Sequence, residues 1–253
     1  YAVNPYTQAT LADVQRSLGA VDPLVSEAHR KAIISENFAG MRVMTATTLA
    51  SYTTGTGADR AGTLSGTPTA TYVAAKDTMT QSIAVTGFQA NLVVAAGESI
   101  TVAGRNRLNL STRQAVVDET GAQILFSGTV TAAVTLDGSG AGTLIITGPG
   151  IYEADGQYNT VSSALTSGDV VTLGGAADTL IQPNMFWHKQ AFSVGSVPIK
   201  KLYSTDTLTT TEDGLQFRIS KGAGFLTNTN QVRFDFRPAY GVMNPFFAGQ
   251  SFG

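Results

Sequence analysis

The chain has 253 residues, 43% hydrophobic and 13% charged, with a net charge of −2, a pI near 5.7 and no cysteine. Disulfides and thiolate metal sites are excluded, and the balance lacks the clustered Lys and Arg of a dedicated nucleic-acid binder. The charged share is about half that of an ordinary soluble domain, so much of the surface is expected to be covered by neighbouring subunits.

The opening Tyr1-Ala2-Val3-Asn4-Pro5 reads as the end of a strand and a turn, with no basic-then-apolar signal segment. The chain is therefore expected to begin inside a domain. Leu11, Val14 and Leu18 share one helix face, which predicts a helix over 8–18 ended by Gly19. Asp22-Pro23 reads as an N-cap followed by Pro at the first helical position, with a short helix or turn over 28–32.

After about residue 46, Thr, Ala and Gly dominate. Residues 51–70 show no apolar period and read as a long loop. From about 78 to 180 the pattern is strands and tight turns. Val130, Ala132, Val134 and Leu136 alternate with Thr129, Thr131, Ala133 and Thr135, the mark of a half-buried strand returning through 143–147. Gly97-Glu98-Ser99-Ile100-Thr101-Val102 echoes Gly168-Asp169-Val170-Val171-Thr172-Leu173, each a Gly-acid turn launching a strand. About six such strands suggest a closed antiparallel barrel. Apolar runs such as residues 92–96 are too short to span a bilayer.

Beyond Asn184 the texture changes again. Leu215, Phe217 and Ile219 alternate with Gln216 and Arg218, and Val232, Phe234 and Phe236 with Arg233 and Asp235. Both runs read as amphipathic strands, with a turn around 228–230. The expected organisation is α+β in segments 1–46 and 181–253, with an all-β block, 47–180, spliced between them at an exposed loop.

No catalytic constellation emerges. His29 and His188 are isolated, without metal-ligand spacing. Gly138, Gly140 and Gly142 are hairpin glycines, not a phosphate loop, because neither a helix nor a Lys-Ser/Thr pair follows. The acid pairs Asp118-Glu119 and Glu212-Asp213 point apart on turns or strands, unlike a glycosidase pair, and Asp137-Gly138 lacks calcium-loop spacing. The C-terminal aromatics, Phe234, Phe236, Tyr240, Phe246 and Phe247, have only Arg233 and Arg237 near them, too few for a single-strand stacking platform. Catalytic, cofactor and metal sites are all expected to be absent.

Three segments resemble the coat proteins of short-tailed double-stranded-DNA phages that carry an extra inserted domain. The first is Tyr1-Ala2-Val3-Asn4-Pro5, continuing into Ala28-His29-Arg30-Lys31-Ala32-Ile33 and Phe38-Ala39-Gly40-Met41. The second is Asn184-Met185-Phe186-Trp187-His188-Lys189-Gln190-Ala191-Phe192. The third runs from Asp213-Gly214-Leu215-Gln216-Phe217-Arg218 through Arg233-Phe234-Asp235-Phe236 to Tyr240-Gly241-Val242. Gly97-Glu98-Ser99-Ile100-Thr101-Val102-Ala103-Gly104 is similar to a strand of the inserted barrel in that family.

The resemblance implies the Hong Kong 97-like capsid fold. Residues 1–46 and 181–253 would be the axial domain, with a C-terminal strand into the peripheral domain, and 47–180 the inserted barrel. It further implies a structural, non-enzymatic role, with pentamers and hexamers closing into an icosahedral shell. Scaffolding and portal proteins would be partners, and packaged double-stranded DNA would be contacted weakly and without sequence preference. The place would be the virion capsid, assembled in the host cytoplasm, with no membrane and no cofactor. A loop of the inserted domain would reach a neighbouring capsomer. The candidate is 52–76, with Asp59 and Arg60 at its tip forming a reciprocal ion pair across a local two-fold. The competing readings are a β-rich adhesin or carbohydrate-binding module, which would show aromatics in a groove, and a secreted hydrolase, which would need a convergent carboxylate pair.

Overall fold

The computed structural model describes residues 1–17, 33–38, 40–224, 226 and 228–252. They are mostly β, in two compact units, Tyr1–Phe186 with Gly249–Gly253, and Trp187–Ala248. Gly19, Asp22-Pro23 and the short helix expected over 28–32 lie outside the described residues.

The first unit begins with β1 (Ala2–Val3) and α1 (Pro5–Ser17). The helix starts earlier than its apolar spacing predicts, because Asn4-Pro5 is itself a cap. The Asn4 side-chain oxygen accepts from the Thr7 N–H at 2.7 Å, and Pro5 takes the first helical position, where a missing N–H costs nothing. Strands β2 (Ile33–Phe38) and β3 (Met41–Thr45) follow. The short β1 is parallel to β3 and antiparallel to a strand from far down the chain, β14 (Asn184–Trp187), with Ala2 opposite Met185. β20 (Ala248–Ser251) completes the order β2-β3-β1-β14-β20. Val3 and Val43 are fully buried, and Tyr1 and Leu11 pack on them.

Between β3 and β14 the chain builds β4 (Tyr52–Thr53), β5 (Ala61–Leu64), α2 (Tyr72–Ala75), β6 (Thr80–Thr86) and β7 (Val93–Val94). Then come β8 (Ser99–Asn106), β9 (Leu125–Val130), β10 (Val134–Thr135), β11 (Gly142–Thr147), β12 (Val170–Leu173) and β13 (Leu180–Ile181). Six of these close into a barrel in the order β11-β6-β5-β12-β8-β9. Closure leaves no open edge in the barrel. The interior is filled by alternating apolar side chains, among them Ile83, Val85, Ile100, Val102, Leu144 and Ile146, all with 0% exposure. β4 and β13 pair outside the barrel, Tyr52 opposite Ile181, and join the two ends of this stretch.

Two strand expectations are corrected. The stretch expected to be a featureless loop, 51–70, contains the barrel strand β5. Its inward positions are Gly62 and Leu64, so only one carries a side chain that reveals the period. Glycine is needed at 62, since a Cβ there would lie 2.4 Å from the Phe88 ring. The alternating run 129–136 is split: Val130 ends β9, while Val134 opens β10, which pairs with β7. Ala132 and Ala133 between them are exposed.

The second unit holds a two-stranded ribbon, β15 (Phe192–Ser196) with β19 (Pro238–Val242). It also holds a three-stranded antiparallel sheet, β16 (Thr207–Thr210), β17 (Gln216–Gly224) and β18 (Thr229–Phe236). A 3-10 turn, Pro245–Phe247, is capped by the Asn244 side chain, which accepts from the Phe246 N–H.

Candidate assembly surfaces

The turn at residues 59–60 opens strand β5, and its two charges go separate ways. Asp59 is exposed. Its carboxylate accepts from the Ala61 N–H at 3.4 Å. Arg60 turns inward, is 7% exposed, and pairs with Glu98, which is fully buried. Glu98 also accepts from the backbone N–H groups of Gly55 and Ala95, each at 2.9 Å. The Arg60 guanidinium donates to the carbonyls of Gly55 at 3.2 Å and Gly174 at 3.5 Å. One ion pair therefore ties together the approach to β5, the turn before β8 and the end of β12. Burial, with Glu98 adding to it and Arg60 opposing, raises the Tyr52 phenol above its ordinary value.

The Gly-acid echo has the same structural meaning at both places. Gly97 and Gly168 take φ of +96° and +89°, a conformation glycine adopts freely. Each following acid is then held by an arginine, Glu98 by Arg60 and Asp169 by Arg105. The acids of two hairpin tips are likewise structural. Asp118 accepts from the N–H groups of Thr120 and Ala122, and Asp137 from those of Ser139 and Ala141. These are side-chain turns, with the following Gly121 and Gly140 at positive φ.

His29 lies outside the described residues. His188 is exposed, its ring edge-on to Phe247 at 5.7 Å. Among the described residues no group of three His, Asp or Glu could hold a metal ion.

The sheet of the second unit is inside out. Directly paired residues share a face, so Arg218, Ser220, Arg233 and Asp235 lie together, and Phe217, Ile219, Phe234, Phe236 and Val232 lie on the other side. The polar face is buried along β17, although Arg233 on β18 stays exposed, and the aromatic face is half-buried at Phe217, Ile219 and Phe236 and open at Phe234 and Val232. Arg218 is 7% exposed and Ser220 9%, while Phe234 is 72% and Val232 54% exposed. The segment 199–206 covers the polar face: the Lys200 carbonyl accepts from Arg218, and the Gln216 side chain accepts from the Ile199 N–H. Asp235 takes hydrogen bonds from both Arg218 and Arg233. Those bonds, Arg218's first, hold its carboxyl below the usual range. Asp206 is held low chiefly by the Tyr203 N–H. On the aromatic face Phe217 stacks on Phe236 at 4.6 Å between ring centres. The ribbon adds Val194 at 54%, Tyr240 at 76% and Val242 at 64% exposure. Alternation in the sequence marks such faces but does not say which one solvent sees.

The family described as P22 coat protein, gene protein 5, matches residues 1–253, the whole chain. A relative named major capsid protein, from Acyrthosiphon pisum secondary endosymbiont phage 1, is 34% identical over 257 residues. The alignment takes in 100% of this chain and 60% of that protein, so the chain spans about three fifths of the relative's length. The match to the family runs through the first sheet, the barrel and the inside-out sheet alike, and the chain belongs to the P22 coat protein family.

Proposed function

We propose that this chain is part of a phage major capsid protein whose work is assembly: copies form pentamers and hexamers that close into an icosahedral shell around double-stranded DNA. The observation that carries this reading is the open aromatic face of β16-β17-β18. An apolar sheet face with a 72% exposed Phe234 is what a subunit keeps for a neighbour, while its own loop covers the polar side. Many modest contacts, multiplied by symmetry, then hold the shell.

In this reading residues 1–46 and 181–253 form the axial domain and a strand into the peripheral domain, and 47–180 is the inserted barrel. The departure of the chain after β3, its return at β14, and the β4–β13 pairing at the ends of the stretch support that division. The 59–60 turn is the inter-capsomer contact, with Asp59 carrying the exposed charge and Arg60 holding the turn from within. Scaffolding and portal proteins guide assembly in the host cytoplasm, and no catalysis is assigned. Family membership leaves the adhesin alternative without support.

Electron microscopy of the full-length gene product, expressed with its scaffolding protein, tests the reading. Closed particles are expected, and Phe234→Ser is expected to reduce their yield while the subunit stays folded. A product that remains monomeric under all these conditions overturns it.

A further inference from the structure

Strand β18 is an open sheet edge. It ends the order β16-β17-β18, runs for 8 residues and pairs with β17 without a bulge. Its residues from Thr229 to Phe234 are exposed. Sheet edges are commonly protected from further pairing by proline, lysine, bulges or short length. β18 has none of these, and its charges are one cation and one anion, Arg233 and Asp235.

Ladder parity says which backbone groups meet that edge. The Thr211 N–H donates to the Leu215 carbonyl, and bonded pairs recur at every second residue, at Thr209–Phe217 and Thr207–Ile219. Arg218 and Ser220 alternate with these, so they bond to β18 instead, through Asp235 and Arg233. Val232, Phe234 and Phe236 therefore point their N–H and C=O groups to the free edge. Among the described residues no backbone hydrogen bond from another segment reaches them.

We propose that this edge pairs with the same edge of a second copy, antiparallel, across a two-fold axis through Phe234. The inference rests on the shell-subunit reading and adds the strand and register by which two subunits meet. The sequence of β18 is self-complementary about Phe234. In that register Phe234 and the partner's Phe234 exchange hydrogen bonds, N–H to carbonyl each way, and Val232 does the same with the partner's Phe236. Opposite residues share a face, so these side chains continue the aromatic face across the axis. On the polar face Arg233 stands opposite the partner's Asp235, and Asp235 opposite the partner's Arg233. The Arg233 side chain is 60% exposed and that of Asp235 24%, so both can be reached from outside. An axis through Val232 would instead set Phe234 against the partner's Asn230 and Arg233 against the partner's Gln231, matching neither face.

The test uses the full-length gene product, expressed with its scaffolding protein, and reads disulfide-linked dimer on non-reducing gels after mild oxidation. Residues 1–253 contain no cysteine, and the unaltered protein sets the baseline. Phe234→Cys places two thiols on the axis with Cα atoms about 5.5 Å apart, and dimer is expected to rise about tenfold or more. Val232→Cys alone leaves its two copies about 13 Å apart along the strands and should stay at baseline. Co-expressed Val232→Cys and Phe236→Cys should link, and this pair decides the matter if thermal melts show that Phe234→Cys has lost its fold. Adding Arg233→Asp to Phe234→Cys sets like charges opposite each other twice and should cut the dimer about tenfold. The proposal is overturned if folded Phe234→Cys stays at baseline, as it would were the edge covered within its own subunit. It is also overturned if Val232→Cys alone links as well as Phe234→Cys, or if Arg233→Asp changes nothing. Particle formation by the unaltered protein is scored separately by electron microscopy. Dimer without particles removes the shell reading and keeps the contact, and particles without dimer do the reverse.

Discussion

Replacing Arg60 by methionine removes the cation from a carboxylate that has no solvent to fall back on. Glu98 is 0% exposed and Arg60 7%, so little screening discounts the effect. After the substitution Glu98 keeps only the N–H groups of Gly55 and Ala95, the Gly174 carbonyl loses the guanidinium, and the Gly55 carbonyl keeps only the Asp178 N–H. Breaking one side of a buried pair costs about 3–5 kcal/mol. At about 2–4 °C per kcal/mol for a domain of this size, the melting temperature should fall by between about 6 and 20 °C. R60M/E98Q should recover at least half of the loss, because the neutral amide oxygen still accepts from Gly55 and Ala95 and no unpaired buried charge remains. Urea and thermal unfolding of the two variants and the parent form the assay. A loss below about 1 kcal/mol for R60M, or a double variant less stable than R60M, refutes the account.

Asp59→Lys should leave subunit stability within about 0.5 kcal/mol, because the side chain is exposed, yet lower the yield and stability of particles. Unchanged particles would remove Asp59 from the inter-capsomer contact. Gly55→Ala should cost at least about 3 kcal/mol, since the new Cβ would lie 1.5 Å from the Val93 carbonyl oxygen and the backbone must move; expression yield and unfolding midpoints measure it. Asp169 is held below its ordinary 3.8, first by the Arg105 guanidinium. Because the unfolded chain then binds that proton more readily, the contribution is whole above about pH 4 and is lost as pH falls through the folded-state value. Asp169→Asn should accordingly lower the urea midpoint at neutral pH and flatten its fall between about pH 5 and 2, whereas a parallel acid limb would contradict the assignment.

The barrel was legible where its strands carry branched residues at alternate positions, as in β8, β11 and β12. It was hidden at β5, where Gly62 occupies an inward position, because close backbone approach needs the absence of a side chain that periodicity counts. Asn4-Pro5 follows the rule read at Asp22-Pro23 and marks the start of α1, but the apolar spacing alone placed the helix later. The Arg60–Glu98 pair joins residues 38 positions apart, and nothing local connects them. The usable signal was a charge in a stretch that otherwise avoids charge, beside a Gly-acid turn that recurs with its own arginine partner. The orientation of β17 and β18 was not legible at all. Both faces alternate perfectly, and only the folded segment 199–206 decides that the polar side is covered.

The pairing of β4 with β13 has a consequence for how the molecule comes together. Asn4 donates its N–H to the Asn184 side chain across 180 positions of chain, and β1 meets β14 over the same span. Closing so large a loop in a flexible chain loses more entropy than any two-residue strand returns. Once the barrel has formed and Tyr52 stands opposite Ile181, only short tethers separate β3 from β4 and β13 from β14. The first sheet should therefore be the late event in folding, its central pairing gated by the barrel, and amide protection at Ile83 and Ile100 should appear before protection at Val3 and Met185.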